Sequence, residues 1–202
     1  PYDLSRGAAD PVTLCPVVPA PGGPGSAAAV KAAAELIAKA QRPVALLGMM
    51  ASHPSAAGAI RAFLRDTGIP AVSTFQGGGV LSQDMVDQFG GRVGLFHNQP
   101  GDRWLDSADL VVTFGFDPIE YDAGLWNAGK QRPVVHIDVV PCDIDRNYAP
   151  TVEIVGDIGA ITEALGAATH GQPKAAASPF VAQARAELDQ IKARGAVEES
   201  SP

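Results

Sequence analysis

The residues that could perform chemistry are few in this sequence, and their spacing matches no known catalytic motif. The four histidines stand far apart, and none has a cysteine or another histidine at the separation typical of metal ligands: His53, His97, His136 and His170. We therefore predict no metal site, and we interpret His136 as a hydrogen-bonded residue of a buried strand. The nucleophile elbow and the P-loop are also absent from the sequence. We accordingly predict no catalytic residue in this chain.

Three carboxylates cluster beyond one candidate strand. Asp117, Glu120 and Asp122 follow the clearest apolar run of the chain. Carboxylates held close together can exchange protons with a substrate. A solvated loop explains the same group at least as well, and the sequence leaves both interpretations open.

Several glycines and one aspartate follow candidate strands and could form a nucleotide crevice. Glycine lets the backbone approach a phosphate, and an acidic residue that closes a strand can accept hydrogen bonds from a ribose. The residues in such positions are Gly48, Gly77, Gly78, Gly115 and Asp138. The dinucleotide fingerprint is missing after the first strand, so each glycine can equally be a plain turn and Asp138 a cap. We predict at most a vestigial crevice.

The elements that must position these residues follow from the apolar pattern. Short apolar runs alternate with amphipathic helical segments, which is typical of parallel strands buried on both faces. The predicted strands are 43–48, 69–74, 92–96, 109–115, 133–138 and 152–155. The fold class is therefore α/β, a Rossmann-like doubly wound, mainly parallel sheet of five or six strands with helices on both faces. Ligands of such sheets bind at the carboxyl ends of the strands.

Cap residues and composition set the predicted helices and domain limits. Ser26 should cap a helix reaching about residue 40, Ser55 a helix ending at Gly68, and Asp157 the last helix of the domain, with a short helix at 102–108. Residues 1–25 are rich in proline and glycine and are expected to be a linker. Residues 26–166 are expected to form one α/β domain, and residues 167–202 a linker and a helix, at 178–193.

Charge and composition limit the classes of partner. The formal net charge is −7, which argues against a nucleic-acid or anionic membrane surface. The chain has two distant cysteines, Cys15 and Cys142, and no apolar run long enough to cross a bilayer. We expect free thiols, a cytoplasmic protein, and no signal peptide.

With these loops identified, the sequence resembles a known family. Seven segments are similar to the central domain of thiamine-diphosphate-dependent acetolactate synthases, and several of them to the catabolic, FAD-free type: 43–52, 91–102, 118–121, 125–127, 135–139, 146–148 and 153–158. The resemblance covers about residues 43–165.

The resemblance implies a three-domain parent enzyme that condenses two pyruvates to 2-acetolactate and releases CO2. It makes residues 1–25 a linker from a preceding domain, residues 26–166 the central α/β domain, and residues 167–202 a linker and a helix leading toward a following domain. In the catabolic branch the product feeds acetoin synthesis, and in the biosynthetic branch it feeds branched-chain amino acids. Thiamine diphosphate and Mg²⁺ would be bound by the other two domains, with sister subunits as further partners. The family's Gly-Asp-Gly signature is missing here, because Gly101-Asp102 precedes Arg and Gly156-Asp157 precedes Ile. This chain alone is therefore expected to be inactive.

The resemblance also bears on FAD and on substrate access. Biosynthetic relatives hold a non-redox FAD beside a glycine run after the first strand, where this chain has Gly48-Met49-Met50. Methionine side chains would obstruct a diphosphate there, which makes FAD doubtful. The resemblance assigns a substrate-access role to Phe96, His97 and Gln99. Two alternatives stay open: a stand-alone module binding FAD, NAD or ADP, and the same domain of another thiamine-diphosphate decarboxylase.

Overall fold

Six parallel strands form a single sheet in a computed structural model of the chain. The structure describes residues 22–95, 99–129, 132–173, 175, 182–183, 185–187, 189–190 and 193. The strands are β1 (Pro43–Leu47), β2 (Ala71–Ser73), β3 (Phe89–Arg92), β4 (Leu110–Phe114), β5 (Val134–Asp138) and β6 (Val152–Val155). Their order in the sheet is β3-β2-β1-β4-β5-β6, and all paired neighbours are parallel. The predicted doubly wound α/β fold is confirmed, and the strand order reverses between β1 and β4.

Helices cover both faces of the sheet, which explains the apolar runs in the sequence. One face packs against α1 (Ala27–Lys39), α2 (Pro54–Thr67) and α5 (Ile158–Thr169). The opposite face packs against α3 (Pro100–Ser107) and α4 (Ala123–Trp126). Every residue of β1, β4 and β5 is buried, as expected for strands covered on both sides.

The third strand lies earlier in the chain than predicted. It was expected at 92–96, and the structure places β3 at Phe89–Arg92. A side chain at Gly90 would put its Cβ 2.5 Å from Cε3 of Trp104, so glycine lets α3 pack directly on the strand. Sequence preferences count glycine against a strand, and they miss this packing.

Several helix boundaries also differ from prediction: α3 lies at Pro100–Ser107 and not at 102–108, and α4 (Ala123–Trp126) was not predicted. His53, not Ser55, is the N-cap of α2; its Nδ1 accepts a hydrogen bond from Ser55 N–H at 3.4 Å, and Pro54 occupies the first turn. Gly68 ends α2 at φ +69°, as expected. Asp157 caps α5 through Ala160 N–H at 2.8 Å, but the helix continues to Thr169, three residues past the predicted domain limit.

The predicted terminal segments lie largely outside the described residues. Residues 1–21 of the first linker and half of the residues of the helix expected at 178–193 belong to this group, and the described residues of that helix are helical: 182–183, 185–187, 189–190 and 193. Within the described ranges, no helix is both long enough and apolar enough to cross a membrane.

Candidate functional site

Three of the predicted crevice glycines meet where β1, β2 and β4 end. Gly48 N–H donates to the Phe114 carbonyl at 3.0 Å, and Met50 N–H donates to the Gly115 carbonyl at 3.0 Å. A Cβ on Gly48 would lie 2.3 Å from the Gly115 oxygen, and one on Gly77 would lie 2.2 Å from the Leu47 oxygen. These glycines therefore permit loops of the chain to approach one another closely.

The carboxylate of Glu120 lies inside this crevice. Its two oxygens accept hydrogen bonds from Met49 N–H at 3.1 and 3.0 Å, and Oε1 accepts one from Asp117 N–H at 3.1 Å. Thr74 Oγ1 donates to Oε2 at 2.6 Å and accepts from Gly77 N–H at 3.1 Å. Glu120 thus joins the loops that follow β1, β2 and β4.

This carboxylate takes the position that an anionic ligand would need. Met49 begins a 3₁₀ turn, Met49–Ser52, directly after β1, where its backbone N–H could otherwise donate to an anionic ligand. Here the N–H of Met49 is bound to Glu120. A diphosphate placed at this turn would meet the negative charge of Glu120, which argues against FAD or another nucleotide at this place. Glu120 is thus an obstacle in addition to the methionine side chains, which the sequence predicts to obstruct a diphosphate.

The neighbouring carboxylates are also held by backbone groups. Asp117 Oδ1 accepts from Ile119 N–H at 2.9 Å, and Asp122 Oδ1 accepts from Gly124 N–H at 2.7 Å to cap α4. These bonds are typical of turns and caps. They support the loop interpretation of the acidic cluster over acid–base catalysis.

Gly78 lines a small groove on the β2–β3 side, together with Gly77. The groove has a volume of about 230 Å³ and is also lined by Leu81 and Arg92. It is smaller than the cavities that hold drug-sized ligands. Gly78 thus borders this groove, while Gly77 borders the groove and also lies against the Leu47 carbonyl in the crevice.

Asp138 closes β5 at the far side of the crevice and is almost fully buried. Its Oδ1 accepts from Val139 N–H at 2.5 Å, and burial raises the pKa of the carboxyl. It is therefore bound to its own turn, as in the cap interpretation.

His136, two residues earlier on β5, is the hydrogen-bonded core residue that the sequence predicts. Its Nδ1 lies 2.8 Å from Tyr148 Oη and 3.2 Å from Thr113 Oγ1. Burial lowers the pKa of the imidazole, and the nearby Asp138 and Glu153 carboxylates and the Val140 backbone partly offset this shift. The ring is therefore neutral near pH 7.

The predicted access residues are described only in part. Phe96 and His97 lie outside the described residues, so their role stays a prediction. Gln99 is the N-cap of α3, and its N–H donates to Asp102 Oδ2 at 2.8 Å. The other oxygen of Asp102 accepts a hydrogen bond from Tyr121 Oη at 2.6 Å. Burial is the larger cause of the raised pKa of Tyr121, and this hydrogen bond is the second.

One group of metal-ligand residue types comes together away from the crevice. Side-chain ligand atoms of His136, Cys142 and Glu153 all lie within 4.8 Å of one another. The sequence predicted no metal site, because His136 and Cys142 do not have a spacing typical of metal ligands. Glu153 joins them only through the pairing of β5 with β6.

Comparison with known proteins identifies relatives for most of this fold. Residues 30–165 match the family model described as the central domain of thiamine pyrophosphate enzymes. An acetolactate synthase of Bacillus subtilis is 46% identical over 136 residues, which are 67% of this chain and 24% of the relative. A catabolic acetolactate synthase of Raoultella terrigena is 44% identical over 169 residues, or 82% of this chain and 29% of the relative.

A solved structure shares the fold at low identity. It is described as a thiamin diphosphate-dependent enzyme from Mycobacterium smegmatis, with a TM-score of 0.63 and 19% identity over 85% of this chain and 33% of that one. This likeness supports the fold alone. The chain spans about a quarter of the length of the curated relatives it matches.

Proposed function

The chain belongs to the family of thiamine pyrophosphate enzyme central domains, and from this we propose that it is the central domain of an acetolactate synthase. The observation that carries the proposal is the 44–46% identity to two acetolactate synthases. The parent enzyme would condense two pyruvates to 2-acetolactate with loss of CO2 in the cytoplasm. Thiamine diphosphate supplies the electron sink for that reaction when it is bound.

The proposed role of this chain is structural, because its residues do not fit the cofactor. A Mg²⁺-bound diphosphate needs free carboxylate and carbonyl oxygens. Asp102 is buried and bound to Tyr121 and Gln99, while Asp157 caps α5. The two Gly-Asp pairs thus offer no free ligand. We propose that the other two domains hold thiamine diphosphate and Mg²⁺, and that this domain packs against them and against sister subunits.

We further propose that the parent enzyme is of the catabolic, FAD-free type. Glu120 carries this inference, because its carboxylate occupies the N–H groups that a flavin diphosphate would need. The relative from Raoultella terrigena carries the catabolic description. Substrate access along the loop at Phe96, His97 and Gln99 belongs to the same proposal, with Gln99 at the carboxyl edge of the sheet.

The test is an assay of the full-length protein that contains this chain. With thiamine diphosphate and Mg²⁺ added, it should convert pyruvate to acetolactate at the same rate with and without FAD. The 202-residue chain alone should be inactive. Failure to consume pyruvate would refute the synthase assignment, and activity only with FAD would refute the catabolic branch. Activity on another 2-oxo acid with none on pyruvate would indicate a different thiamine-diphosphate decarboxylase.

The stand-alone nucleotide module is a weaker alternative. Glu120 counts against it, since a bound diphosphate would displace the carboxylate from its three donors. Calorimetric titration of the 202-residue chain with FAD, NAD and ADP tests it directly. Micromolar binding of any of the three would favour the module over the scaffold.

A further inference from the structure

Three side chains of metal-ligand type surround a small space beside the β5–β6 pair. A ring nitrogen of His136, the Sγ of Cys142 and a carboxylate oxygen of Glu153 lie within 4.8 Å of one another. His136 is buried, Cys142 is half-buried and Glu153 is exposed. The space is therefore anchored in the core on one side and reachable from solvent on the other.

Strand register and one loop hydrogen bond hold these residues together. His136 and Glu153 are direct partners in the parallel β5–β6 ladder, so their side chains project from the same face of the sheet. Cys142 lies in the connection between the two strands, and its N–H donates to Glu153 Oε1 at 2.8 Å. This bond brings the thiol to the pair, and a further hydrogen bond, which a metal ion would replace, joins the Cys142 and Glu153 side chains.

The histidine is arranged as metal-binding histidines usually are. Its Nδ1 is held by Tyr148 Oη at 2.8 Å and Thr113 Oγ1 at 3.2 Å. Its Nε2 is buried and has no hydrogen-bond partner in the part of the chain that the structure describes. An orphaned buried nitrogen is costly, whereas a ligand histidine typically has one nitrogen held by the protein and the other on the metal.

We propose that His136 Nε2, Cys142 Sγ and Glu153 bind a Zn²⁺-like divalent cation, with water as the fourth ligand. This donor set suits zinc, and the thiolate disfavours Mg²⁺ and Ca²⁺. Ligand atoms around tetrahedral zinc lie about 3.3–3.8 Å apart, so the group must close by roughly 1 Å. The exposed Glu153 side chain and the Cys142 loop can make that movement.

Metal binding requires the thiol proton of Cys142 to leave for solvent, with no redox change. The ion would tie the β5–β6 connection to the sheet. The proposal does not depend on the function proposed above.

The experiment uses the 202-residue chain, stripped with a chelator and titrated with Co²⁺ as a spectroscopic probe. We expect one Co²⁺ per chain, a thiolate-to-cobalt charge-transfer band, and visible bands of four-coordinate intensity. Zn²⁺ should displace the Co²⁺ and raise the melting temperature. Cys142→Ala should abolish the band and weaken Zn²⁺ binding by at least about 100-fold, because a direct ligand of the metal is lost.

Control variants separate this site from adventitious binding. Cys15→Ala removes the other cysteine and should leave the charge-transfer band unchanged. Glu153→Gln, an exposed change that the fold should tolerate, should keep the band but weaken Zn²⁺ binding by about 10-fold or more. Absence of the band in the unmodified chain, its survival in Cys142→Ala, or its loss in Cys15→Ala would overturn the proposal. Unchanged Zn²⁺ affinity in Glu153→Gln would do the same.

Discussion

Removing the Glu120 carboxylate should destabilise the domain by about 2–4 kcal/mol in the variant Glu120→Ala. Three donors lose their acceptor, namely Met49 N–H, Asp117 N–H and Thr74 O–H. Hydrogen bonds to a charged group contribute about 1.5–3 kcal/mol each, so three would total about 4.5–9 kcal/mol. Glu120 is only half-buried, and water can reach the two backbone donors, which brings the expected loss down to the lower range.

Urea denaturation of the 202-residue chain measures this loss, with the buried Trp104 and Trp126 as fluorescent probes. Glu120→Gln keeps the shape and one acceptor oxygen, so it should cost less, about 1–2 kcal/mol. Glu163→Ala, a matched change on the exposed face of α5, should shift the free energy of unfolding by no more than about 0.5 kcal/mol. A Glu120→Ala loss as small as that of the control would refute the idea that this carboxylate holds the strand-end loops together.

Two further predictions concern backbone geometry and pH. Gly115→Ala should cost about 2 kcal/mol or more, since φ is +55° and the new Cβ would lie 2.4 Å from Ala51 N. Gly79→Ala, at φ +86° with no described atom within 4 Å of its Cβ, should cost less; equal losses in urea denaturation would argue against the close contact as the cause. Burial lowers the pKa of His136 below 6.5, so the unfolded chain binds more protons just below that pH. The contribution of the neutral, buried His136 to the free energy of unfolding is fully present above pH 6.5. It is lost as the pH falls toward the pKa of His136 in the folded state. In chelator-treated samples, the free energy of unfolding of His136→Gln should decrease less between about pH 7 and 5.5 than that of the unmodified chain. An unchanged pH dependence would contradict this. The raised pKa of Asp138 acts in the opposite direction at lower pH, because the folded state then binds the extra proton.

The sequence was a good guide to the elements and a poor guide to some of their limits. The runs that became β1, β4 and β5 are apolar throughout because both faces of each strand are buried. By contrast, β3 was predicted three residues too late. Gly90 is required in this strand because Trp104 packs directly against it, and the sequence alone does not show that contact. The cap of α2 was misassigned for a similar reason, because His53 is a rarer cap than Ser55.

The candidate site divides along the same line. The sequence placed Gly48, Gly77 and Gly115 at strand ends, and they do meet there, but it could not tell whether they face a ligand or one another. The answer depends on Glu120, which lies 71 residues from Met49 in the chain and binds its N–H.

Taken by itself, the sequence determined the α/β class, the positions of most strands, some of the helix ends and the family. Those features depend on short-range periodicity, cap residues and short sequence motifs, all of which can be recognised along the chain. Only the tertiary structure decided that Glu120 fills the crevice and that His136, Cys142 and Glu153 share one space. Both arrangements arise from which strands are neighbours in the sheet and in what register, and no local pattern encodes a contact between residues that the strand order alone brings together.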